Sequence, residues 1–503
     1  MSVEHFDVVI IGAGLSGIGA GYRLQTRCPR KKYVIFEART EIGGTWDLFR
    51  YPGVRSDSDM FTLGYAFRPW KSSRALADGP TILNYVRDTA RAYGIDQKIR
   101  FQHRVESASF STKDAHWTLE VKNAATGETI QCTCHFLYGC TGYYRYDAGY
   151  QPSFPGAERF RGQFVHPQQW PKDLDYTGKR VVVIGSGATA VTLVPAMADT
   201  AAHVTMLQRS PSYILSLPAN DHLADRLQRM LPAAAAHRIV RWKNILVSMG
   251  IYQISRRAPA KARKILRQGA VKDLPPGYEV DKHFNPRYEP WDQRLCLVPD
   301  SNLFKSISSG RASVVTDQID TITESGVKLQ SGQHLDADII VSATGLRMLA
   351  IGAVNLSIDS TPVEPGRAFI YKGTMLSNVP NFAFCIGYTN ASWTLRADLA
   401  STFVCRVLNY MDRRGYRTCA PVSNLASLEA KPLLSLTSGY VLRAAANLPK
   451  QAAAEPWLIR QNYILDMLTM KLGRLRDGIL KFDAPVPGAR AEIKEEMLAS
   501  AHD

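Results

Sequence analysis

The hydrophobic pattern at the start of the chain predicts a strand, a glycine loop, a helix and a second strand. Residues 6–11 are a run rich in β-branched side chains, and they lead into the loop GAGLSG at residues 12–17. An Ala/Gly/Leu-rich stretch of helical character follows, and residues 33–36 form a second strand-like run. This order within about 30 residues is typical of a unit that binds a dinucleotide.

Three glycines and one acidic residue supply the chemistry of this unit. Gly12 allows a tight turn, Gly14 allows the backbone to approach a pyrophosphate, and Gly17 allows the helix to pack closely on the strand. Glu37 follows the second strand, twenty positions after Gly17. A carboxylate at that position accepts hydrogen bonds from an adenosine ribose, so the four residues predict a cofactor-binding site.

The same arrangement occurs a second time, with residues 180–184 and 203–207 as the predicted strands. The loop between them is GSGATA, whose key small residues are Gly185, Gly187 and Ala190. Arg209 and Ser210 stand where the first unit has its glutamate. Because a guanidinium and a hydroxyl can bind a 2′-phosphate, this unit is predicted to prefer NADP(H). The alternative is that Arg209 only solvates a strand end.

Two further patterns mark where the chain passes between these units. A β-rich stretch ends at CTGYY, residues 140–144, and ADIIVSATG at residues 337–345 is a second buried strand that ends in a Thr-Gly turn. The paired crossings predict an α/β fold with two Rossmann-like, three-layer ββα domains, the second inserted in the first. The predicted boundaries are 1–150 and 346–503 for an FAD-binding domain, 151–215 and 292–345 for an NADP-binding domain, and 216–291 for a helical basic insertion.

The positive charge of the chain is concentrated in one segment. The net charge is +16, and residues 226–272 contain twelve Lys or Arg and no Asp or Glu. Apolar residues recur there at roughly helical spacing beside Arg238, Arg241 and Lys243; they are Ile239, Trp242, Ile245, Leu246 and Met249. One hypothesis is a peripheral membrane contact or an acidic partner, and the alternative is a solvated insertion that helps attract a phosphate-rich cofactor. Nothing resembles a base-reading module, so nucleic acid is not expected.

Chain length and cysteine placement bound the remaining possibilities. At 503 residues the chain is expected to form more than one domain. No apolar run of about 18 residues is present, and the first strand begins too near Met1 for a signal peptide, so a cytoplasmic location is expected. The eight cysteines form no CxxC and no Cys/His cluster at ligand spacing, which predicts buried reduced thiols and no metal site.

Longer strings resemble the fingerprints of a known enzyme family. FRGQFVHPQQWP, residues 160–171, fits the pattern FxGxxxHxxxWP, and GGTWDLFRYPGVRSD, residues 43–57, fits a second fingerprint that ends in an aspartate. With RYEPWDQRLCLVP and GYTNASWTL, they resemble the type I Baeyer-Villiger monooxygenases of the flavin-containing monooxygenase superfamily, and more narrowly the EthA-like and AlmA-like group. The resemblance covers nearly the whole chain.

This resemblance implies an enzyme that uses FAD, NADPH and O2 to convert a small hydrophobic ketone to an ester or lactone through a C4a-peroxyflavin, with sulfoxidation as a side activity. It implies that Arg294 lies at the active site and that Asp57 positions it. It places Gly44 and Trp46 among the FAD-binding residues. It implies a structural role between the domains for His166 and Trp170.

The sequence allows alternatives for the cofactor preference, the substrate contacts and the activity. Gln293 stands where better-known members have a lysine linked to the 2′-phosphate, so the preference for NADPH over NADH is expected to be weaker. Residues 390–394 and 61–70 are candidates for substrate contact, although Trp393 could equally be a packing residue. Oxygenation of long-chain alkanes, or of sulfides and thiocarbonyl compounds, is an alternative activity. A non-catalytic flavin-binding protein is the remote alternative, and the presence of Asp57, His166 and Arg294 argues against it.

Overall fold

A computed structural model describes residues 3–422 and 427–483 of the chain. Its strands are β1 (Glu4–Ile11), β2 (Tyr33–Phe36), β3 (Ile99–Arg100), β4 (His103–Ser111), β5 (His116–Asn123), β6 (Thr129–Gly139), β7 (Gln163–Val165), β8 (Arg180–Ile184), β9 (His203–Gln208), β10 (Ile214–Leu217), β11 (Cys296–Pro299), β12 (Ala312–Thr316), β13 (Ile319–Thr323), β14 (Gly326–Leu329), β15 (His334–Asp336), β16 (Ile339–Ser342), β17 (Asn355–Ile358), β18 (Thr361–Pro362), β19 (Ile370–Tyr371), β20 (Met375–Leu376), β21 (Phe382–Phe384), β22 (Cys419–Pro421), β23 (Ala430–Pro432), β24 (Lys450–Ala452) and β25 (Leu480–Phe482).

The α-helices are α1 (Leu15–Arg27), α2 (Thr45–Leu48), α3 (Met60–Leu63), α4 (Gly79–Ala92), α5 (Ala188–Met197), α6 (His222–Met230), α7 (Ala233–Arg257), α8 (Pro259–Asp273), α9 (Val280–His283), α10 (Asn302–Ser308), α11 (Trp393–Arg414), α12 (Gly439–Ala444) and α13 (Tyr463–Met467). A π-helical turn, Leu468–Leu472, continues α13. Short 3-10 turns lie at Asp96–Lys98, Ala157–Arg159, Pro167–Gln169, Ile351–Ala353 and Pro365–Arg367.

The first sheet combines strands from two distant parts of the chain. Its order is β18-β17-β4-β5-β6-β1-β2-β3, and β21 also pairs with β6. Strands β6, β1, β2 and β3 run parallel, whereas β4, β5 and β6 form an antiparallel meander. Because β17, β18 and β21 follow residue 354, the chain leaves this sheet after β6 and later returns to it.

The second sheet is built from the chain between these two visits. Its order is β12-β9-β8-β16-β7, and every pairing in it is parallel. An antiparallel layer of β13, β14 and β15 packs beside it. The two sheets confirm the predicted α/β class with two Rossmann-like units, while the exact residue boundaries of the domains stay a prediction.

The central strand β1 is buried on both faces. Val8 and Ile10 pack into a core that contains α1, α4 and α11, and Val9 and Ile11 pack into a core on the opposite side with β4 and β5. Successive side chains of a strand point to opposite faces, so one short run of apolar residues serves both cores. This double burial holds the end of β1, and therefore the loop that follows it, in a fixed place.

The basic segment contacts both units instead of standing apart as a solvated insertion. Arg241 of α7 is buried and donates to the carbonyl oxygens of Phe61 and Gly64. Ile245 is also buried, and α8 contributes Ala270 to the core of the second unit. Arg241 and Ile245 were expected on an exposed amphipathic face, and that expectation is wrong because this side of α7 packs on α3.

The structure also bears on the cysteines, on membrane-spanning helices and on metal-binding groups. All eight cysteines are buried and unpaired, which confirms the expected buried thiols. Across residues 3–422 and 427–483, no helix has the length and apolar character needed to cross a membrane. In the same residues, no group of three or more His, Cys, Asp or Glu side chains is arranged to hold a metal ion.

Candidate active site

A cavity of about 820 Å³ opens at the carboxyl ends of β1, β2 and β6. Open α/β sheets bind ligands at this edge, because the loops after parallel strands meet there. Residues from both units and from the basic segment line the cavity, including Gly12, Glu37, Thr189, Ser248 and Arg294. The fold therefore brings the first glycine loop and the candidate catalytic arginine to one enclosed space.

The first glycine loop has the close packing that its sequence predicts. Gly12 has a φ of +102°, and a Cβ added at Gly17 would lie 1.9 Å from the Gly12 carbonyl oxygen. Gly14 begins α1 in an extended conformation, and a Cβ there would lie 3.6 Å from the Cα of Gly44. The amino end of α1 is thus open towards the cavity, where its free N–H groups favour an anionic ligand.

Glu37 lies beside this helix end and is held by two backbone groups. Its carboxylate accepts hydrogen bonds from the N–H groups of Ala13 (2.7 Å) and Arg39 (2.9 Å). Burial raises the pKa of Glu37, and these two hydrogen bonds oppose the shift. The carboxylate lines the cavity and keeps acceptor capacity for a ribose. Gly44 and Trp46 line the cavity next to it, so the donors and acceptors here fit the adenosine diphosphate part of FAD.

Arg294 lies among aromatic hydroxyls on the other side of the cavity. Coulombic attraction to Tyr143, and further to Tyr440, Tyr144 and Asp57, raises the pKa of Arg294 against the effect of burial. The hydroxyls of Tyr143 and Tyr144 are 3.0 Å apart. The guanidinium is therefore a permanent positive charge at the wall of the cavity.

Asp57 also lines the cavity, close enough to interact with two arginines. Burial raises the pKa of the Asp57 carboxyl, while Arg55 and Arg294 oppose the shift. Among the residues that the structure describes, no hydrogen bond and no ion pair within 4.0 Å joins Asp57 to Arg294. The structure brings the two residues into one site, and the positioning of Arg294 by Asp57 stays a prediction.

The second glycine loop lies at the edge of this cavity. Gly185 has a φ of +135°, and a Cβ there would lie 2.4 Å from the Ala343 carbonyl oxygen. Gly187 begins α5 with open space around it, and Ala190 is fully buried. Arg209 is exposed after β9, and in the described part of the chain it makes no hydrogen bond or ion pair. The loop fits a second dinucleotide, whose phosphates would meet the amino end of α5.

His166 and Trp170 lie where the chain crosses between the two units. The His166 ring contacts both crossings: its Nε2 is 3.3 Å from the Gly345 carbonyl oxygen, and a Cβ added at Gly149 would lie 2.0 Å from its Cε1. Burial lowers the pKa of His166, so the ring is neutral near pH 7. Trp170 packs against the core of the second unit. Neither side chain lines the cavity.

The sequence is similar to those of known proteins. Residues 75–248 match the flavin-binding monooxygenase-like family, and residues 10–77 match the NAD(P)-binding Rossmann-like domain. The FAD-containing monooxygenase EthA of Mycobacterium tuberculosis is 52% identical over 480 residues, which cover 95% of this chain and 98% of that protein. This chain belongs to the family of FAD-containing monooxygenases.

Other relatives of this monooxygenase agree with that placement. The probable FAD-binding monooxygenase AlmA of Acinetobacter baylyi is 47% identical over 498 residues, 99% of this chain and 100% of that protein. Among solved structures, a steroid monooxygenase bound to NADP superposes with a TM-score of 0.73 at 23% identity, covering 96% of this chain and 100% of that one. An open cyclohexanone monooxygenase gives 0.74 at 19% identity with the same coverage. These two likenesses support the fold alone.

Four cavity residues were not singled out as site residues from the sequence: Arg55, Tyr143, Tyr144 and Trp291. Arg55 donates from Nη2 to the Leu297 carbonyl oxygen (2.7 Å), and its buried Nε has no partner among the described residues. The Nε1 of Trp291 is also buried without a partner there, and so is Tyr288 OH. Arg55 and Trp291 line the cavity, and so do Tyr143 and Tyr144. Arg55 lies within the second fingerprint and Trp291 within the string around Arg294, so both could have been found from their place in those motifs.

The structure places one of the two predicted substrate-contacting segments at the cavity and most of the other segment elsewhere. Residues 388–393 line the cavity, as expected for most of the segment 390–394. Trp393 does so while its Nε1 donates to Ser16 Oγ (2.7 Å), so it also packs. In the aromatic stretch 61–70, only Leu63 lines the cavity, and the expectation for the aromatic residues is wrong. Phe61 is fully buried in a cluster with Ala224 of α6 and Val240 of α7, and Phe67 stacks on Tyr22 of α1 at 3.5 Å.

Proposed function

We propose that this protein is an FAD- and NADPH-dependent Baeyer-Villiger monooxygenase that converts hydrophobic ketones to esters or lactones, with sulfoxidation as a side activity. The observation that carries the proposal is the placement of Arg294 and Asp57 in the same cavity as Gly14 and Glu37. A permanent cation is thereby held next to the site that fits the flavin nucleotide. The FAD-containing relatives named above support the cofactor.

The protein's own contribution is to bind, orient and exclude water. Gly12, Gly14, Glu37, Gly44 and Trp46 would hold FAD, which supplies hydride acceptance from NADPH and reaction with O2 when it is bound. Arg294 would stabilise the negative charge that develops as oxygen is transferred to the carbonyl carbon. It suits this task better than a titrating group because a guanidinium keeps its charge throughout the physiological pH range.

Asp57 and Arg55 would keep Arg294 correctly oriented and would balance the charge around it. Asp57 attracts both guanidinium groups, and Arg55 is anchored to the backbone at Leu297, three residues after Arg294. Because two cations face one carboxylate, this group of three side chains has a net positive charge that favours an anionic intermediate.

The rest of the cavity wall suits a hydrophobic substrate. Aliphatic side chains from five separate parts of the chain line it: Leu63, Leu76, Leu215, Ile251 and Leu297. An apolar wall excludes water, which strengthens the electrostatic effect of Arg294 and protects the reacting groups from hydrolysis. A ketone with a hydrocarbon chain fits this wall, and its carbonyl would be directed to Arg294.

NADPH is the proposed hydride donor. Gly185, Gly187 and Ala190 shape the second loop, and the exposed guanidinium of Arg209 is free to bind a 2′-phosphate. Gln293 supplies no positive charge next to Arg294, so the preference for NADPH should be weaker than in relatives with lysine there. Rapid mixing of the FAD-loaded enzyme with NADPH or NADH tests this. Equal or faster flavin reduction by NADH would contradict the assignment.

The proposed domain organisation follows the sheets. Residues 1–150 and 346–503 would form the FAD-binding domain, and residues 151–215 and 292–345 would form the NADP-binding domain. Residues 216–291 would be a helical insertion; its helix α7 packs on α3 of the first unit and α8 on the second. We place the enzyme in the cytoplasm, with peripheral membrane association through part of 226–272.

One experiment tests the central assignment. The FAD-loaded enzyme, Arg294→Ala and the control Arg367→Ala are given NADPH, O2 and a panel of ketones, sulfides and alkanes, and products are identified by mass. Product mass is needed because release of peroxide also consumes NADPH. Arg367 is an exposed arginine that does not line the cavity, so its variant should form ester at the parent rate. Ester formation by Arg294→Ala at more than a tenth of the parent rate would refute the role of Arg294.

A further inference from the structure

Helix α7 separates the cavity from the outside of the molecule. On its inner side, Ser248 and Ile251 line the cavity. On its outer side, Ile239, Trp242 and Leu246 are exposed, and Leu246 is 54% exposed. Their spacing of three and four residues places these three side chains in one stripe along the helix. A surface helix usually turns polar side chains to water. The outward stripe of α7 is apolar instead, and the fold does not bury it.

A second apolar stripe lies beside the first. Leu465, Leu468 and Leu472 are exposed on α13 and on the π-helical turn that continues it, and Leu472 is 74% exposed. The two stripes are connected, because the Trp242 ring makes an edge contact with the Tyr463 ring at 5.9 Å between centroids. This contact brings α7 beside the start of α13, and we call the two exposed stripes together the outer stripe pair.

The segment 226–272, which contains α7, carries unpaired positive charge. Half of the twelve basic residues in 226–272 are exposed and have no ion pair among the described residues; they are Arg226, Arg238, Arg257, Lys261, Lys264 and Lys272. The other six are satisfied by acidic or backbone groups, for example Arg256 by Asp292. Apolar side chains beside unpaired cations match the surface of an anionic bilayer, which offers both acyl chains and negative headgroups.

A small void lies between α7, the start of α13 and the cavity. Its volume is about 10 Å³, and it is lined by Ile245 and Met249 of α7, by Tyr463, and by Tyr388, Asn390 and Ala391. Tyr388, Asn390 and Ala391 also line the main cavity. Asn390 is buried, and its Oδ1 has no partner among the described residues. Only a thin wall of side chains therefore separates the two exposed stripes from the site of the reaction.

We propose that the outer stripe pair rests on an anionic lipid bilayer, and that ketones dissolved in the lipid enter the cavity between α7 and α13. A long hydrocarbon chain would pass the Met249 and Tyr463 side chains and reach Arg294 without crossing water. The identity of the substrate rests on the proposed function, whereas the lipid contact does not.

Vesicle binding tests the lipid contact independently of catalysis. The FAD-loaded enzyme is sedimented with vesicles of phosphatidylcholine alone, or of phosphatidylcholine with phosphatidylglycerol, at low and high salt. We expect binding to the anionic vesicles that weakens with salt. The double variant Leu246→Glu/Leu472→Glu should bind at least about tenfold more weakly, because it places two charges in the contact. The control Val422→Glu makes the same change at an exposed apolar residue outside the stripes and should bind as the parent does.

Two outcomes would overturn the lipid contact. One is equal vesicle binding by the double variant and the Val422→Glu control. The other is that the double variant binds vesicles as the parent does but differs from the parent in molecular mass by light scattering. In that case the outer stripe pair would be a contact between two copies of the chain.

The entry route is tested by filling the void. Met249→Trp should lower kcat/KM for a long-chain ketone in vesicles at least about tenfold. If that variant has a lowered melting temperature, the smaller Met249→Phe is used instead. The value for a short water-soluble ketone without vesicles should stay within about twofold. The control is Met230→Trp on an exposed position of α6. An equal loss for both ketones, or no loss for either, would refute the route. If the parent oxidised neither ketone, the proposed function would fail while the vesicle result still stood.

Discussion

Replacing Gly17 by alanine should damage the fold of the first unit, whereas the same change at Gly14 should damage only cofactor binding. The added Cβ of Gly17→Ala would lie 1.9 Å from the Gly12 carbonyl oxygen. A carbon and an oxygen normally approach to about 3.3 Å, so α1 and the end of β1 would have to separate by about 1.4 Å. The oxygen belongs to the backbone and the Cβ would be fixed to it, so neither atom can rotate away, and the neighbouring Ala13 and Ile18 are held in a core.

The size of the effect follows from two opposing terms. Overpacking of a close contact costs about 1–3 kcal/mol, and a backbone clash belongs at the upper end of that range. Alanine recovers about 1 kcal/mol of helix propensity relative to glycine. The net loss is about 2 kcal/mol, which corresponds to about 3 °C in the melting temperature of a unit of about 300 residues. FAD binding should weaken as a consequence.

Gly14→Ala provides the matched comparison on the same loop. Its added Cβ would have an ordinary contact, 3.6 Å from the Cα of Gly44, and the φ of −77° is allowed for alanine. The melting temperature of the FAD-free protein should therefore change little, by less than about 1 kcal/mol in stability. The methyl group would stand where the pyrophosphate must approach the helix end, so the Kd for FAD should rise at least about tenfold, or 1.4 kcal/mol.

The assays are thermal unfolding of the FAD-free proteins and titration with FAD followed by quenching of flavin fluorescence. If Gly17→Ala melted at the parent temperature, the packing argument would be refuted. If Gly14→Ala bound FAD as tightly as the parent, Gly14 would not lie at the cofactor.

Three further predictions concern charges. In the parent, protonation of the Asp57 carboxylate at low pH should weaken its attraction to Arg294 and slow flavin reduction. Asp57→Asn should therefore remove this decrease of the rate at low pH. Stopped-flow rates that still decrease at low pH in the variant would contradict the role of Asp57. The pKa of His237 is lowered to about 4 by burial and by Arg241, so the unfolded state binds more protons below pH 6.5. Chemical denaturation should therefore show that up to about 3 kcal/mol of the free energy of unfolding is lost between pH 6.5 and 4. The loss should be smaller in His237→Gln, and an equal loss in both proteins would contradict the lowered pKa. Gln293→Lys should raise the ratio of kcat/KM for NADPH to that for NADH at least about threefold by adding a cation for the 2′-phosphate, and an unchanged ratio in steady-state assays would place Gln293 away from that phosphate.

Local patterns in the sequence were sufficient for the parts of the molecule that depend on a few neighbouring residues. The predicted strands at 33–36 and 180–184 agree with β2 and β8, and the close approach at Gly17 is present. A strand that is buried on both faces is a continuous apolar run, and a turn that needs a left-handed φ requires glycine. These requirements act over a few residues, so they can be recognised without knowing the rest of the fold.

Only the tertiary structure decided which side chains share the cavity and which side of a helix faces water. Arg55, Tyr143 and Arg294 come from segments that are far apart in sequence, and only the two sheets bring them together. Ile239 and Ile245 lie on the same helix and have the same chemistry, yet one is exposed and the other is buried. Helical spacing defines a stripe, but what covers the stripe depends on long-range packing. The sequence therefore determined the cofactor loops, and the packing of α7 on α3 decided which of its apolar residues remained outside.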